Sequence, residues 1–309
     1  MVTIKSIEVN DYFGRGDFEW TLDPEVNILG GKNGSGKSSL FKLCYLMLAS
    51  KDIDDTLDDM FKKLFKLAKM TLSNGWTLTW NHPNRFSAIS IGVEGGAIAT
   101  TESAYIADAT GNRHNFEELK QLINVQMINS FEQHASKATQ YAQQPKTQPL
   151  DNPTILDLLI KDQIDLRNKY FARAMEDFID EENDEKRIEY VKTYKRIYSS
   201  LSHFLQGYDN LPKSDFAFTK NGNKFGYEHL SMGEKQILLL LLMVGNTNQE
   251  PCIFFMDEPD LSMHIDWKEI LVEELHNLNP NMQIILSTHA PSVITGWQDR
   301  VKEVDQLIK

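Results

Sequence analysis

The run Gly30-Gly31-Lys32-Asn33-Gly34-Ser35-Gly36-Lys37-Ser38-Ser39 carries glycines, a lysine and hydroxyls at a spacing suited to holding a polyphosphate. Gly31, Asn33, Gly34 and Gly36 let successive backbone N–H groups wrap phosphate oxygens, and Lys37 reaches the β- and γ-phosphates. The Ser38 hydroxyl, with Ser39 beside it, offers an oxygen ligand for Mg2+. The setting fits as well: apolar residues 26–30 read as a strand before the loop, and "SSLFKLCYLMLAS" as a helix after it. A chance Gly-Lys-Ser in an ordinary turn would lack both flanks.

A phosphate loop needs acids to complete its chemistry. In "IFFMDEPD" four apolar residues lead to Asp257, placed at a strand end where it can join a Mg2+ shell. The adjacent Glu258 can orient or deprotonate an attacking water. Alone, two acids at a strand end would be a solvated edge; a phosphate loop in the same chain gives them a role. His289 closes "IILSTH", another apolar strand. Most such histidines are structural, but ligands gather at the carboxyl ends of parallel strands. A contact to the γ-phosphate or the attacking water is therefore expected of it.

"EHLSMGEKQILLLLLMV" poses a different problem. The apolar run 237–244 is far short of the ~20 residues that cross a bilayer. It predicts a helix buried on all sides, starting near Ser231 and Gly233. A helix start offers free N–H donors and partial positive charge, which suits phosphate. The residues alone do not say whose phosphate.

The elements that must position these groups alternate. Strands are expected over 2–9, 17–22 and 26–30, hairpins over 70–80 and 87–103, a short helix over 116–124 and a buried strand over 125–131. Residues 133–153 are polar, with Gln and Pro, and read as a linker. Helices broken near "DEENDEK" follow over 154–206, then a hairpin before the buried helix and a helix over 266–278, and the last residues, Trp297–Lys309, are expected to hold only a short segment. The expected fold class is α/β, a parallel core with an antiparallel β-subdomain and an inserted helical lobe. The expected parts are 1–133 with the phosphate loop, 134–220 with the linker and inserted lobe, and 221–309 completing the core.

Of 309 residues, 32 are Lys or Arg and 44 Asp or Glu, so the net charge of −12 argues against a surface built on nucleic-acid backbone contacts. The basic run Lys62, Lys63, Lys66 and Lys69 follows Asp52, Asp54, Asp55, Asp58 and Asp59, which suits the two ends of one solvated helix. Cys44 and Cys252 lie in apolar surroundings and predict buried thiols in a reducing compartment. The N-terminus has no apolar signal core, so the expected location is cytoplasmic. His114 and His134 show no metal-ligand spacing.

Phosphate loop, "LSMGEKQ", "MDEPD", "PDLSMH" and His289 occur in an order and spacing that resembles ABC-type ATPases over nearly the whole chain. That resemblance implies ATP and Mg2+ as ligands. It also implies a head-to-tail homodimer in which Ser231 and Gly233 of one subunit close over the ATP held by the other. The family's glutamine-bearing loop, a further metal contact, is assigned to Gln133, with Gln126 and Glu132 as alternatives. Glu234, where transporter signatures carry glutamine, is similar to SMC, RecF and DNA-repair members. "EPDLSMHIDWKEIL" and "STHAPSVI" resemble OLD-like ATPases of anti-phage defence. The implied function is an ATPase without a Toprim nuclease domain that controls a separate effector, a nuclease or toxin, as in Septu-type or PARIS-type systems. A repair ATPase binding nucleic acid directly, and a transporter subunit, are the competing implications.

Overall fold

The computed structural model describes residues 1–49, 64–81, 104–129, 154–181, 184–209 and 216–309. In its N-terminal part, alternating residues form β1 (Ile4–Asn10) and β2 (Phe18–Thr21), and a buried run forms β3 (Val26–Gly30). Helix α1 (Lys37–Ala49) follows the glycine loop and buries Leu40, Phe41, Leu43, Cys44 and Met47. Next come β4 (Leu67–Leu72) and β5 (Thr77–Asn81), joined by the Asn74-Gly75 turn, with Gly75 at φ +87°. Strands β6 (Ala104–Ala107) and β7 (Arg113–His114) lead to α2 (Phe116–Leu122), which a capping box from Asn115 and Glu118 starts, and to β8 (Val125–Asn129).

The helical lobe holds two long helices, α3 (Ile155–Glu181) and α4 (Asp184–Phe204); residues 182–183, inside the "DEENDEK" run where a break was expected, lie outside the described residues. The hairpin β9 (Ala217–Lys220) and β10 (Asn223–Gly226) precedes α5 (Met232–Gly245). The chain then runs β11 (Cys252–Asp257), α6 (Ile265–Leu278), β12 (Met282–Ser287), β13 (Val301–Glu303) and α7 (Val304–Leu307).

Strands β13, β3, β12, β11 and β8 pair in that order into a parallel sheet, so β12 separates the phosphate-loop strand from the acid-bearing one. Side chains alternate across it with the period of two that a strand imposes. Phe254, Met256, Ile284 and Leu286 enter one core with α3, α4, α5 and α6. Ile253, Phe255 and Ile285 enter the other with α1 and the antiparallel sheet β2-β1-β4-β5-β6-β7. The two sheets are stitched by Gln283, which is fully buried. Its Oε1 accepts from Ile4 N at 2.7 Å, and its Nε2 donates to Ile4 O and Asp23 O, each at 2.8 Å.

Two expectations need correction. Lys66 and Lys69 do not end a helix: Lys69 lies in β4 and Lys66 just before it, because Ala68, Met70 and Leu72 alternate into the core. They pair instead with Asp11 and Glu8. The last residues hold more than one short segment, since β13 covers the outer edge of β3 and Ile308 bridges Phe18. The expected hairpin 87–103, the linker 133–153, and Lys62, Lys63 and the aspartates 52–59 lie outside the described residues. Among the described residues no helix is long and apolar enough to cross a membrane. Cys44 and Cys252 are both buried and free, and burial pushes the Cys252 thiol up to about 12, with Glu250 adding to it.

Candidate active site

The carboxyl ends of β3, β12 and β11 bring three of the expected site residues into one chain of contacts. Lys37 Nζ stands 2.9 Å from His289 Nε2, and the same nitrogen of His289 is 3.0 Å from Glu258 Oε1. Lys37 also donates to Gly31 O at 2.9 Å and to Lys32 O at 3.3 Å, so its ammonium is folded onto its own loop. Burial lowers the Lys37 pKa, and Glu258, Asp257 and Glu303 partly restore it. Without an anion bound, these carboxylates offset part of the cost of desolvating the ammonium.

The loop is built for close approach. Gly31, Gly34 and Gly36 have φ of +148°, +76° and +98°, values that glycine adopts without cost. At Gly36 a Cβ would also stand 2.4 Å from the Phe13 ring and 2.6 Å from the Tyr12 hydroxyl. Lys32, Asn33, Gly34 and Ser38 are exposed, Ser39 is half-buried, and the buried Ser35 hydroxyl has no partner. Exposed backbone N–H groups and the orphaned hydroxyl are donors for phosphate oxygens, and the open Ser38 hydroxyl offers an oxygen lone pair to a hard cation.

Asp257 is buried, and its Oδ1 accepts from Ser287 Oγ at 2.5 Å. Glu258 follows at φ +48°, a left-handed conformation unusual outside glycine. It is held by its N–H donating to Ser287 O at 3.0 Å. That turn lifts the Glu258 carboxylate out of the strand line toward His289. Among the described residues no cluster of three or more His, Cys, Asp or Glu could hold a metal by itself. A hydroxyl and one carboxylate match Mg2+, which keeps waters and phosphate oxygens in its shell.

Ser231 and Gly233 lie at the start of α5, outside this chain of contacts. Ser231 is the N-cap of α5, and a capping box closes between it and Glu234: Ser231 N donates to Glu234 Oε2 at 2.7 Å and Glu234 N to Ser231 Oγ at 3.4 Å. Tyr208 donates to the other Glu234 oxygen at 2.7 Å. Burial tends to raise the Glu234 pKa, but the bonds from Tyr208 and Ser231, with Lys220 nearby, bring it below its ordinary value. Glu234 thus has a local job, fastening the helix start. Gly233 is buried, and a Cβ there would lie 2.5 Å from the Ser262 carbonyl. Beyond Lys235 the helix is buried nearly all round, as the apolar run predicted.

Gln133 and Glu132 lie outside the described residues. Gln126 sits opposite Phe254, three places before the register position of Asp257. At ~3.3 Å per residue that is about 10 Å back from the strand end. Sequence reasoning named Asp260 only as part of "PDLSMH" and missed its partners: Ser287 and Thr288 tie the acid loop to the end of β12, and Lys268 ties it to α6. Only the hydroxyls in "LSTH" hinted at them.

Comparison with known proteins bears on the family and the fold. The family described as "AAA domain, putative AbiEii toxin, Type IV TA system" matches residues 102–295. The "Retron Vc95 probable ATPase" of Vibrio cholerae is 29% identical over 174 residues, 51% of this chain and 32% of that protein. The "Retron Ec83 probable ATPase" of Escherichia coli is 28% identical over 202 residues, 58% of this chain and 36% of that protein. The chain thus spans about a third of the length of the curated relatives it matches. Among solved structures, the SMC head domain of Thermotoga maritima superposes with TM-score 0.53 at 12% identity, covering 97% of this chain and 94% of that one. The SMC head of Pyrococcus furiosus, with an extended coiled coil and bound to the C-terminal domain of ScpA, gives 0.52 at 13%, covering 95% and 91%. At such identities the likeness concerns the fold alone, that of an SMC head domain.

Proposed function

We propose, from the premise that this chain belongs to that AAA-domain family, that it binds and hydrolyses ATP and uses the nucleotide to control a separate effector protein. The observation that carries the hydrolytic reading is the Glu258–His289–Lys37 contact chain at the ends of three parallel strands. In this reading Lys37 leaves its loop carbonyls for the β- and γ-phosphates of ATP, while Gly31, Asn33, Gly34, Gly36 and Ser39 supply backbone and hydroxyl donors. Ser38 and Asp257 would hold Mg2+, with Gln133 as a further ligand, and the bound ion would neutralise charge on the phosphate oxygens. Glu258 orients the attacking water and takes its proton. His289 keeps Glu258 in place and faces the γ-phosphate once Lys37 has moved.

The subunit arrangement belongs to the same proposal. The exposed, capped start of α5 serves a second copy's nucleotide, so two copies close head to tail with Ser231 and Gly233 over the partner site. Support comes from Ser231 and Met232 standing exposed while the rest of α5 is sealed in the core. The relatives named as retron ATPases support a role in anti-phage defence in the cytoplasm, with a nuclease or toxin on another polypeptide, as in Septu-type or PARIS-type two-gene systems. The division into 1–133, 134–220 and 221–309 is part of this reading, the middle part being the surface specific to the partner.

The test is Glu258→Gln. We expect turnover to fall by roughly 100- to 10,000-fold, with Mg-ATP still bound and an ATP-dependent dimer accumulating on size exclusion. Unchanged turnover would remove Glu258 as the base. Purification of that variant from its native host with Mg-ATP should bring down a stoichiometric protein; nucleic acid alone would point to repair, and a permease to transport.

A further inference from the structure

Asp260 lies two residues beyond Glu258 and is buried, yet the phosphate-loop chemistry assigns it nothing. Both of its oxygens are used. Oδ1 accepts from Thr288 Oγ1 at 2.9 Å, and Oδ2 accepts from Lys268 Nζ at 3.0 Å. Thr288 is itself buried, and its hydroxyl oxygen also accepts from Ala290 N at 3.0 Å. The hydrogen bonds therefore run Ala290 N–H to Thr288 O–H to Asp260, and the residue enclosed between Thr288 and Ala290 is His289.

This arrangement fixes the spacing of two groups at once. Glu258 is tied to Ser287 by its N–H, and Asp260 to Thr288 by its carboxylate, so the acid loop after β11 is pinned at two successive positions of the strand end that carries His289. Lys268, from the first turns of α6, compensates the buried charge and stops Asp260 from turning away. The Thr288 hydroxyl bond thus adds a side-chain restraint behind the 3.0 Å contact of His289 Nε2 with Glu258 Oε1, alongside the Lys37 contact to His289 and the Ser287 bonds to the Glu258 N–H.

We infer that Asp260 is a positioning residue, acting through Thr288 to hold His289 at the Glu258 carboxylate in the attack geometry. The inference rests on the hydrolytic reading above and adds to it a role outside the ATP-contacting set. Groups that orient a site from behind typically matter 10- to 100-fold for its activity.

The test compares wild type, Thr288→Val, Thr288→Ser and Asp260→Ala in steady-state ATP turnover with Mg2+, alongside ATP affinity and melting temperature. Thr288→Val keeps the shape and removes only the hydroxyl. We expect it to lower kcat by about 10-fold or more, with ATP affinity within about threefold of wild type and the melting transition retained. Thr288→Ser should recover most of the rate, and Asp260→Ala should match Thr288→Val if it folds. The inference is overturned if Thr288→Val turns over like wild type, or if Thr288→Ser is as impaired as Thr288→Val. Wild type that binds Mg-ATP without turnover would instead overturn the hydrolytic reading itself.

Discussion

Asp157 and Lys235 meet at 2.7 Å with only 5% and 7% of their side chains exposed, an ion pair sealed between the first turns of α3 and α5. Asp157 also accepts from the Thr154 N–H and hydroxyl, at 2.8 and 2.6 Å. Farther along, Asn246 donates to Gln163 O and Oε1, each at 2.9 Å, and Arg167 donates to Asn248 at 2.9 Å. The helical lobe is thus fastened to α5 near both of its ends, so a displacement of α3 carries Ser231 with it.

Removing one member of the buried pair leaves a charge without its counter-ion, so Lys235→Met should destabilise the fold by about 3–5 kcal/mol. Replacing both, with Asp157→Leu, should return most of that loss. Urea unfolding of the single and double variants checks it, and equal losses in both would show that packing, not the pair, holds the joint.

Lys37→Ala removes the ammonium that folds onto the Gly31 and Lys32 carbonyls and should abolish measurable Mg-ATP binding by calorimetry. Because Lys37 is desolvated in the unliganded fold, its loss should not lower the melting temperature. Tight Mg-ATP binding by this variant would contradict the phosphate-loop assignment.

Ser231→Arg should stop turnover while an isolated copy keeps its ATP affinity, because the position serves the partner's site. The lost cap itself costs about 1 kcal/mol, too little to unfold a helix buried along its length. If affinity falls in the monomer instead, Ser231 acts on its own nucleotide and the head-to-tail arrangement is wrong.

His114 offers a readout of pH away from the site. Its ring stacks on Trp76 at 4.0 Å and its two nitrogens face Glu118 at 2.8 Å and Asp108 at 3.2 Å. A neutral imidazole has one N–H, so the doubly protonated ring suits this place better, and the bonds to Glu118 and then Asp108 raise its pKa. The raised folded-state value means that the interaction is fully present below about pH 6.5 and is lost as pH rises through the higher folded value. Trp76 fluorescence should change with a midpoint above 6.5, and His114→Gln should erase that step. A midpoint at or below 6.5 would show that the two carboxylates do not hold the proton.

Much of this was legible because local signals agreed with the tertiary setting. The strand–loop–helix around Lys37, the apolar strand ending in Asp257 and the all-round apolar α5 each carry their own pattern. What stayed hidden was made by distant pairs. Asp260, Lys268 and Thr288 come together only when β11, α6 and β12 pack, and Asp157 finds Lys235 from a separate lobe. Strand β13 has three residues, too few for any periodicity, and was recognisable only once β3 needed a neighbour. Lys69 misled because its charge suited a helix end, whereas the alternation of Ala68, Met70 and Leu72 decided the matter.

The seat of β3 sets a timetable for the ribosome. Both of its neighbours, β12 and β13, begin 250 or more residues downstream, at Met282 and Val301. The glycine loop therefore emerges early but has no sheet to stand in until nearly the whole chain is made. At about 5–20 residues per second that wait lasts roughly 13–50 s. Throughout it, Val26, Ile28 and Leu29 are without the strands that later bury them, so a nascent chain stalled before β12 would present this segment to chaperones and proteases as an unfinished edge.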